Sequence, residues 1–459
     1  MDRINYHHVD RLAGQAKALG KLVVAGGMFP SLSYEDVFDH TNNVDYIVCG
    51  EGERPLEDLL HALFVYGSIE AIESSSYIAT RRNFTKPKGW CKNTSLDVDI
   101  VDDFYQGKND VLGLEYTTMI KPNECSHHCT FCMSHKANHD FQFRTAQSIV
   151  ERIEAKCNHT PISHVYFTDN DIFDGNYPLQ GYEKVAEILD AIEKSDLIGL
   201  SYNCGTRVDA VCFQPEHSRI LGRMRDIGFA HFFLGVESGN DKDLKLYGKG
   251  VNVAQSLTAV ETLQKNDIYP CLGFIMINPY SDLERLSQNH KFLQKSLCVS
   301  LASYAGGQLM VEKCNPFYRM ALRDGIFEAD YSFISPYRYR FVHQEIKTIN
   351  DFLIETFGQD THFGGSFDPV HDLHRYYFVM KRQYPELRRY GQAVSSLRDR
   401  FLEAADKFFG PLYLTGNIEE ARDRLEMFRQ ELQEMQANCL RVRKSLFMDM
   451  SRLQLQCHK

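Results

Sequence analysis

Three cysteines within eight residues constrain this chain more than any other feature of its sequence. Cys125, Cys129 and Cys132 follow a C-x3-C-x2-C spacing in the run NECSHHCTFCMSHK. Three thiolates this close in sequence can bind one metal centre, but they cannot pair as disulfides without leaving one over. The spacing therefore predicts a metal site.

Two kinds of metal centre suit three neighbouring cysteines. A structural zinc ion needs four ligands, and His127, His128 and His135 are near enough in sequence to supply the fourth. A 4Fe-4S cluster held by three cysteines leaves one iron open to a ligand that is not protein. The spacing by itself leaves both alternatives open.

Composition excludes several other classes of protein. The chain has 459 residues, which is enough for two or three domains. Its 51 basic and 61 acidic side chains argue against a protein that coats nucleic acid. A polar start and the lack of a long apolar run predict neither a signal peptide nor a membrane span. Thirteen scattered cysteines fit a reducing cytoplasm.

The first 67 residues alternate between helical and strand-like patterns. A helix is expected over 5–19, with Val9, Leu12, Ala16 and Leu19 on its buried face, and another over 55–66. Apolar runs at 22–27 and 45–53 predict strands. This alternation indicates a small parallel sheet with its ligand edge at the carboxyl ends of the strands.

Four glycines follow these two strands: Gly26, Gly27, Gly50 and Gly52. They could let a ligand approach the backbone closely, or they could simply form tight turns between strand and helix. Spacing alone favours the turns.

The central residues predict a barrel or partial barrel of repeated strand and helix units. Strands are expected at 114–119, 164–169, 197–203, 231–237 and 271–278, with a weaker sixth around 299–302, and helices at 146–156 and 182–195. Active-site loops in such folds follow the carboxyl ends of the strands. The cysteine run follows the first of these strands, so it is at the functional end.

The last residues are helical in pattern. An apolar seam recurs at intervals of three and four residues: Leu425, Phe428, Leu432, Met435, Cys439, Val442 and Leu446. It is expected to pack on another tail helix, such as 397–409, or on a second subunit.

The cysteine run, with Phe131 just before its last cysteine, resembles the cluster loop of radical S-adenosylmethionine (SAM) enzymes. Further runs resemble motifs of that family in the expected order: TDND with Asp169, TRVD with Arg207, and GVESG with Glu237. The resemblance covers about residues 20–310. It departs from the family pattern at Asn278, where a glycine is usual, and at 281–282, where a threonine is usual.

The resemblance implies a 4Fe-4S cluster bound by the three cysteines, with SAM near Phe131, Asp169, Arg207 and Glu237. It also implies an electron donor such as flavodoxin or ferredoxin, whose electron would cleave SAM to a 5'-deoxyadenosyl radical. The substrate is not indicated.

The runs GGMFPS and VDYIVCGEGERPLEDLL resemble the last part of the cobalamin-binding domain found in one class of radical SAM proteins. This resemblance implies that Gly26, Gly27, Gly50 and Gly52 would approach cobalamin. No D-x-H-x-x-G motif occurs within the first 67 residues, and the domain is expected to be truncated, so cobalamin binding stays open.

The expected fold is α/β. A partial (β/α)6 TIM-like radical SAM barrel over 113–310 follows an incomplete Rossmann-like domain (1–67) and a linker (68–112), and a mostly helical region (311–459) comes last.

Two alternatives remain. One is a binding protein stabilised by zinc or iron-sulfur, without catalysis. The other is an RNA-modifying radical SAM enzyme, which the acidic net charge does not favour. A homo-oligomer through the C-terminal helices is a further expectation.

Overall fold

The computed structural model describes residues 6–67, 69–86, 88–91, 107–109, 113–121, 125–133, 142–159, 162–175, 179–195, 197, 199–212, 215–327, 332, 338–358 and 368–457. The chain forms two compact units. The first contains Met1–Asp99, Thr130–Asn138 and Met310–Tyr339. The second contains Ile100–Cys129, His139–Leu309 and Arg340–Lys459.

The helices and strands before the cysteine run are short. In chain order they are α1 (Tyr6–Ala18), β1 (Val24–Ala25), α2 (Met28–Leu32), α3 (Tyr34–His40), β2 (Tyr46–Val48), α4 (Glu53–Phe64), α5 (Ile69–Ser74), β3 (Ile78–Thr80), β4 (Gly107–Asn109) and β5 (Gly113–Thr118).

After the cysteine run, strands alternate with helices and then give way to helices. The elements are α6 (Ala146–His159), β6 (His164–Phe167), α7 (Gln180–Glu193), β7 (Ser201–Arg207), α8 (Val208–Cys212), α9 (Pro215–Ile227), β8 (Phe229–Glu237), α10 (Asp241–Leu246), α11 (Val253–Lys265), β9 (Tyr269–Phe274), α12 (Leu283–Lys295), α13 (Leu301–Ala305), α14 (Pro316–Arg323), α15 (Gln344–Phe357), α16 (Pro369–Gln383), α17 (Gly391–Thr415) and α18 (Ile418–Cys457).

A three-stranded sheet lies in the first unit. β1 pairs with β2 in parallel and β2 pairs with β3 antiparallel. Val37, Phe38 and Ile47 are buried in its core. Strand β3 and helix α5 therefore give regular structure to part of the segment that was expected to be a linker, and β3 belongs to this sheet.

The predicted buried face of α1 is wrong. Leu12 and Leu19 are 48% and 75% exposed, whereas Tyr6 and Ala13 are buried. Helical periodicity marks an apolar stripe, but the position of the sheet decides which stripe is covered. The strands are also shorter than predicted, since β1 has two residues and β2 has three.

The second unit contains a six-stranded sheet in the order β4-β5-β6-β7-β8-β9. Strands β5 to β9 run parallel, and β4 pairs antiparallel with β5 at the edge. This arrangement confirms the predicted α/β fold class. The rings of Phe167, Tyr202 and Phe229 stack on one another in the core.

Two strand predictions need correction. β7 covers Ser201–Arg207, so Arg207 ends the strand instead of following it. The weak sixth strand at 299–302 is wrong, because α13 begins at Leu301. A short apolar run does not separate strand from buried helix by periodicity alone. The sheet instead gains an isolated parallel bridge between Ile277 and Gln308.

The C-terminal seam packs on another helix of the same chain, which is one of the two alternatives that the sequence left open. Helix α18 lies against α17, where the Phe408 and Phe428 rings stack with centroids 4.5 Å apart. Leu432, Met435 and Leu446 are also buried there. In the part of the chain that the structure describes, no helix has the length and apolar character needed to cross a membrane.

We expect Phe428→Ala to destabilise the second unit by about 3–5 kcal/mol, because it removes a buried ring and leaves a cavity. The neighbouring Met427 is 57% exposed. Met427→Ala should therefore change stability by less than about 0.5 kcal/mol. Urea denaturation followed by circular dichroism would measure the unfolding free energy of both variants. Equal losses of stability would contradict the burial of Phe428 between α17 and α18.

Candidate functional site

The predicted metal ligands fall in two different units. Cys125 and Cys129 belong to the second unit, and Cys132 belongs to the first. Among the described residues, no three histidine, cysteine, aspartate or glutamate side chains form a group that could hold a metal ion. His135 lies outside those residues. The three-cysteine site therefore stays a prediction.

Phe131 and its neighbour are fixed by their backbone within the first unit. The side-chain amide of Asn315 donates to the Phe131 carbonyl at 3.0 Å, and the Phe317 N–H donates to the Thr130 carbonyl at 2.9 Å. Asn315 also caps α14. These bonds hold the last part of the cysteine run against the start of that helix.

A buried ion pair holds the residues that enter the cysteine loop. The Asp169 carboxylate accepts the backbone N–H groups of Ile120 and Lys121 at 2.9 and 3.0 Å. The Lys121 ammonium lies 3.8 Å from the same carboxylate and donates to the Asp171 carbonyl at 2.5 Å. Both side chains of the pair are fully buried. Asp169, which was expected to face SAM, therefore has both oxygens occupied by the protein.

Two further aspartates hold the loop beside the first cysteine. Asp174 accepts the backbone N–H of Ser126 at 2.5 Å and its hydroxyl at 2.6 Å. Asp171 accepts the Thr206 hydroxyl at 3.0 Å, and its carboxylate lies 3.9 Å from Nε2 of His127. Sequence reasoning missed Lys121 and Asp174, since nothing in their local patterns marks a partner about fifty residues away.

Burial controls the ionisation of this loop. Burial raises the pKa of the Cys125 thiol to about 12. Burial, followed by the charge of Arg207, lowers the pKa of His127. In the absence of a metal both groups are therefore neutral near pH 7, and binding a metal would release the thiol proton.

Arg207 connects the cysteine loop with two other segments. One of its terminal nitrogens, Nη1, donates to Sγ of Cys129 at 3.3 Å. Its Nε and Nη2 atoms bind the Asp209 carboxylate at 2.9 and 3.1 Å, and Nη2 also donates to the Lys249 carbonyl at 2.6 Å. Arg207 thus forms a salt bridge with Asp209, two residues further along the chain.

Glu237 has the partner that its burial requires. The Lys249 ammonium lies 3.2 Å from the Glu237 carboxylate, and their side chains are only 3% and 15% exposed. Glu237 ends β8 at a register shift and has a φ of 69°. Positive φ at a residue other than glycine is strained, and such strain is common at functional sites.

Three glycines line one face of neighbouring strands near this ion pair. Gly205 is opposite Phe233, and Gly235 is paired with Gly273. A Cβ on Gly235 would lie 2.9 Å from the Glu237 carboxylate, and one on Gly273 would lie 2.8 Å from the Phe233 ring. Phe233 is 51% exposed although its strand is otherwise buried. Gly235 and Gly273 are buried beneath the Glu237 carboxylate and the Phe233 ring, so glycine at these positions lets those side chains pack against the strands.

A sequence comparison identifies the domain that contains these residues. The model of the radical SAM superfamily matches residues 119–293, which include Cys125, Cys129, Arg207 and Glu237. Residues 119–293 therefore form a radical SAM domain.

The relatives of this chain are enzymes of different reactions. The chain is 25% identical over 301 residues to 4'-phospho-dehydrooxetanocin synthase of Priestia megaterium, and 24% identical over 289 residues to the anaerobic magnesium-protoporphyrin IX monomethyl ester cyclase of Cereibacter sphaeroides. These alignments cover 61% and 59% of the chain, but only 39% and 44% of the two relatives. The chain thus matches less than half the length of either relative.

Solved structures show that the fold extends beyond the family match. The cobalamin-dependent radical SAM enzyme OxsB, with aqua-cobalamin and SAM bound, is 17% identical and aligns with a TM-score of 0.64 over 98% of this chain and 70% of its own. The methyltransferase TsrM of Kitasatospora setae, with tryptophan and a SAM analogue bound, is 15% identical and aligns with a TM-score of 0.55 over 74% and 66%. The fold of this chain is therefore similar to that of these two enzymes.

The residues around Cys129 suit a metal-bound sulfur. Cys129 is buried, and the group that reaches its Sγ is a guanidinium, which is always charged and can only donate. A thiolate bound to metal is a good acceptor for such a donor, and groups of this kind commonly surround metal ligands. This contact fits the predicted cluster and adds a neighbour that cysteine spacing could not reveal.

The predicted cobalamin glycines have different surroundings. Gly50 has a φ of 94°, and a Cβ there would lie 2.4 Å from the Cys91 backbone, so the chain itself fills this space. Gly26 is similarly close to Val48. Gly27 has a φ of 95° and open space around it, and Gly52 precedes α4 with only Val48 nearby. Gly27 is the position most open to a ligand.

The departures from the family pattern at 278–282 have structural roles. The Asn278 amide donates to Asp243 at 3.0 Å and to the Tyr247 hydroxyl at 2.9 Å. The Ser281 hydroxyl accepts the Asn278 N–H, and Asp282 caps α12. This network ties the end of the β9 segment to α10.

We expect Asp169→Ala to destabilise the second unit by about 3–5 kcal/mol, because it leaves the buried Lys121 ammonium and two N–H groups without their acceptor. Lys121→Met in the same chain should recover part of that loss. Urea denaturation of the two single variants and the double variant measures the coupling. If the changes in unfolding free energy of the two single variants add up to that of the double variant, the result would contradict the buried ion pair.

Proposed function

We propose that the chain is a cobalamin-class radical SAM enzyme, with a 4Fe-4S cluster bound by Cys125, Cys129 and Cys132. When bound, the cluster supplies the electron that cleaves SAM to a 5'-deoxyadenosyl radical. The main support is that the family match includes a loop whose buried Cys129 accepts a hydrogen bond from Arg207.

The protein's own contribution is to fix the loop. Asp169 and Asp174 bind backbone N–H groups of Ile120, Lys121 and Ser126, on the amino-terminal side of Cys129. Holding reacting groups in one geometry removes most of the entropic cost of bringing them together. The buried aspartates and Lys121 would also limit the access of water to the loop.

SAM would bind along the glycine-lined face near Glu237. The Glu237 carboxylate is partly exposed and suits an ammonium or ribose hydroxyl group, and the exposed Phe233 ring lies beside Gly273 on the same face. Phe131 stays a candidate for a SAM contact. Asp169 and Arg207 are largely occupied by protein partners, so we assign them to supporting the site.

Cobalamin would bind the first unit. The OxsB structure contains aqua-cobalamin. Its alignment with this chain covers 98% of the residues here, so it includes the first unit. Gly27, which has a positive φ and open space around it, is the residue that we place nearest to the corrin. The relatives include synthases, cyclases and methyltransferases, so methyl transfer and ring formation are the two reaction classes that we propose. A flavodoxin or ferredoxin of the cytoplasm would supply the electron.

Anaerobic reconstitution with iron, sulfide and hydroxocobalamin tests this proposal. We expect a visible cluster absorption band, bound corrinoid, and 5'-deoxyadenosine after reduction by dithionite in the presence of SAM. S-adenosylhomocysteine formed as well would indicate methyl transfer. Changing Cys125, Cys129 and Cys132 together to alanine should abolish the cluster band and the nucleoside product.

Cys157→Ala provides a matched control, because Cys157 is a partly buried cysteine of α6 outside the loop. It should keep full iron content. The proposal fails if the triple variant retains the same iron, or if the purified chain binds zinc and yields no 5'-deoxyadenosine. The second result would indicate a metal-stabilised binding protein.

A further inference from the structure

The orientation of Arg207 is fixed on three sides. It is 6% exposed, and its Nε and Nη2 atoms face both oxygens of Asp209. Nη2 also donates to the Lys249 carbonyl at 2.6 Å. Because a guanidinium is planar, these contacts determine where its remaining nitrogen points.

The remaining nitrogen points at sulfur. Nη1 of Arg207 donates to Sγ of Cys129 at 3.3 Å, and both side chains are buried. A charge-assisted hydrogen bond in a poorly solvated site is stronger than the same bond in water. The guanidinium is therefore held against the Cys129 sulfur. Four of its five N–H groups are used in these contacts, and one is left for another ligand.

Reduction of a cluster adds one negative charge next to this guanidinium. A neighbouring positive charge and a hydrogen bond to a ligand sulfur both stabilise the reduced state, which raises the reduction potential. The Asp209 carboxylate has the opposite sign and offsets part of this effect. Arg207 and Asp209 thus shift the reduction potential of the cluster in opposite directions.

We propose that Arg207 is a positioning residue that raises the reduction potential of the cluster through its hydrogen bond to Cys129, and that Asp209 moderates this effect. The inference rests on the proposed function, because it needs a cluster on Cys129. It differs from the expected role of Arg207 as a contact for SAM, since it predicts an effect that is present before SAM binds.

Redox titration of the reconstituted full chain without SAM tests the proposal. The cluster would be poised with dithionite and mediators, and its reduced signal followed by electron paramagnetic resonance. Arg207→Gln should shift the midpoint potential to a more negative value, because the charge is lost. Asp209→Asn should shift it to a more positive value, and Arg207→Lys should fall between wild type and Arg207→Gln.

Arg223→Gln is the matched control. Arg223 is also an arginine of the second unit that binds two carboxylates, Asp190 and Glu193, but its side chain is 27% exposed and it joins α9 to α7. The midpoint potential of the cluster in Arg223→Gln should equal that of the wild type. This comparison separates the effect of Arg207 from the general loss of an arginine ion pair.

The outcomes distinguish a failure of the proposed function from a failure of the proposed role of Arg207. If the wild-type chain assembles no cluster, the proposed function fails. If clusters form and the Arg207 and Asp209 variants titrate like the wild type, or shift in the same direction, only the role of Arg207 is overturned. If Arg207→Gln loses its cluster, opposite shifts of Asp209→Asn and Arg207→Lys would still support the inference, and unchanged potentials would overturn it.

Discussion

Charges buried at the carboxyl edge of the parallel sheet need partners, and this requirement shapes the site. Asp169, Arg207 and Glu237 lie at or just beyond the ends of three neighbouring strands. An unpaired charge in such a place costs several kcal/mol. Each one is satisfied by groups from segments that follow the strands: the Lys121 segment, Asp209 of α8 and Lys249. The same interactions that satisfy the charges therefore fix the loops.

Lys249 links two of these charges into one network. Its carbonyl accepts from Arg207, and its ammonium pairs with Glu237. The contacts therefore connect Cys129, Arg207, Lys249 and Glu237 across the ends of β7 and β8. A displacement of the loop that carries Lys249 would disturb both the sulfur contact and the strained end of β8. These contacts join residues from separate sequence motifs in one network.

The fold of this chain does not specify which reaction it catalyses. A radical SAM domain is shown by the family match, yet the relatives include a synthase and a cyclase. One scaffold supports several reactions because the difficult chemistry belongs to the cofactors, while the protein positions them and shapes the substrate site. The glycine-lined face and the exposed Phe233 are the parts of this chain where such differences would arise.

Local patterns in the sequence determined the α/β class, most of the central strands, the C-terminal seam and the cysteine run, because each depends on residues that are near one another in the chain. They did not determine which stripe of α1 is buried, that 299–302 is not a strand, or that Lys121 and Lys249 are the partners of Asp169 and Glu237. Those features depend on which strand ends meet at one edge of the sheet. Tertiary structure decided them, since burial and charge pairing act between segments that are far apart in the chain.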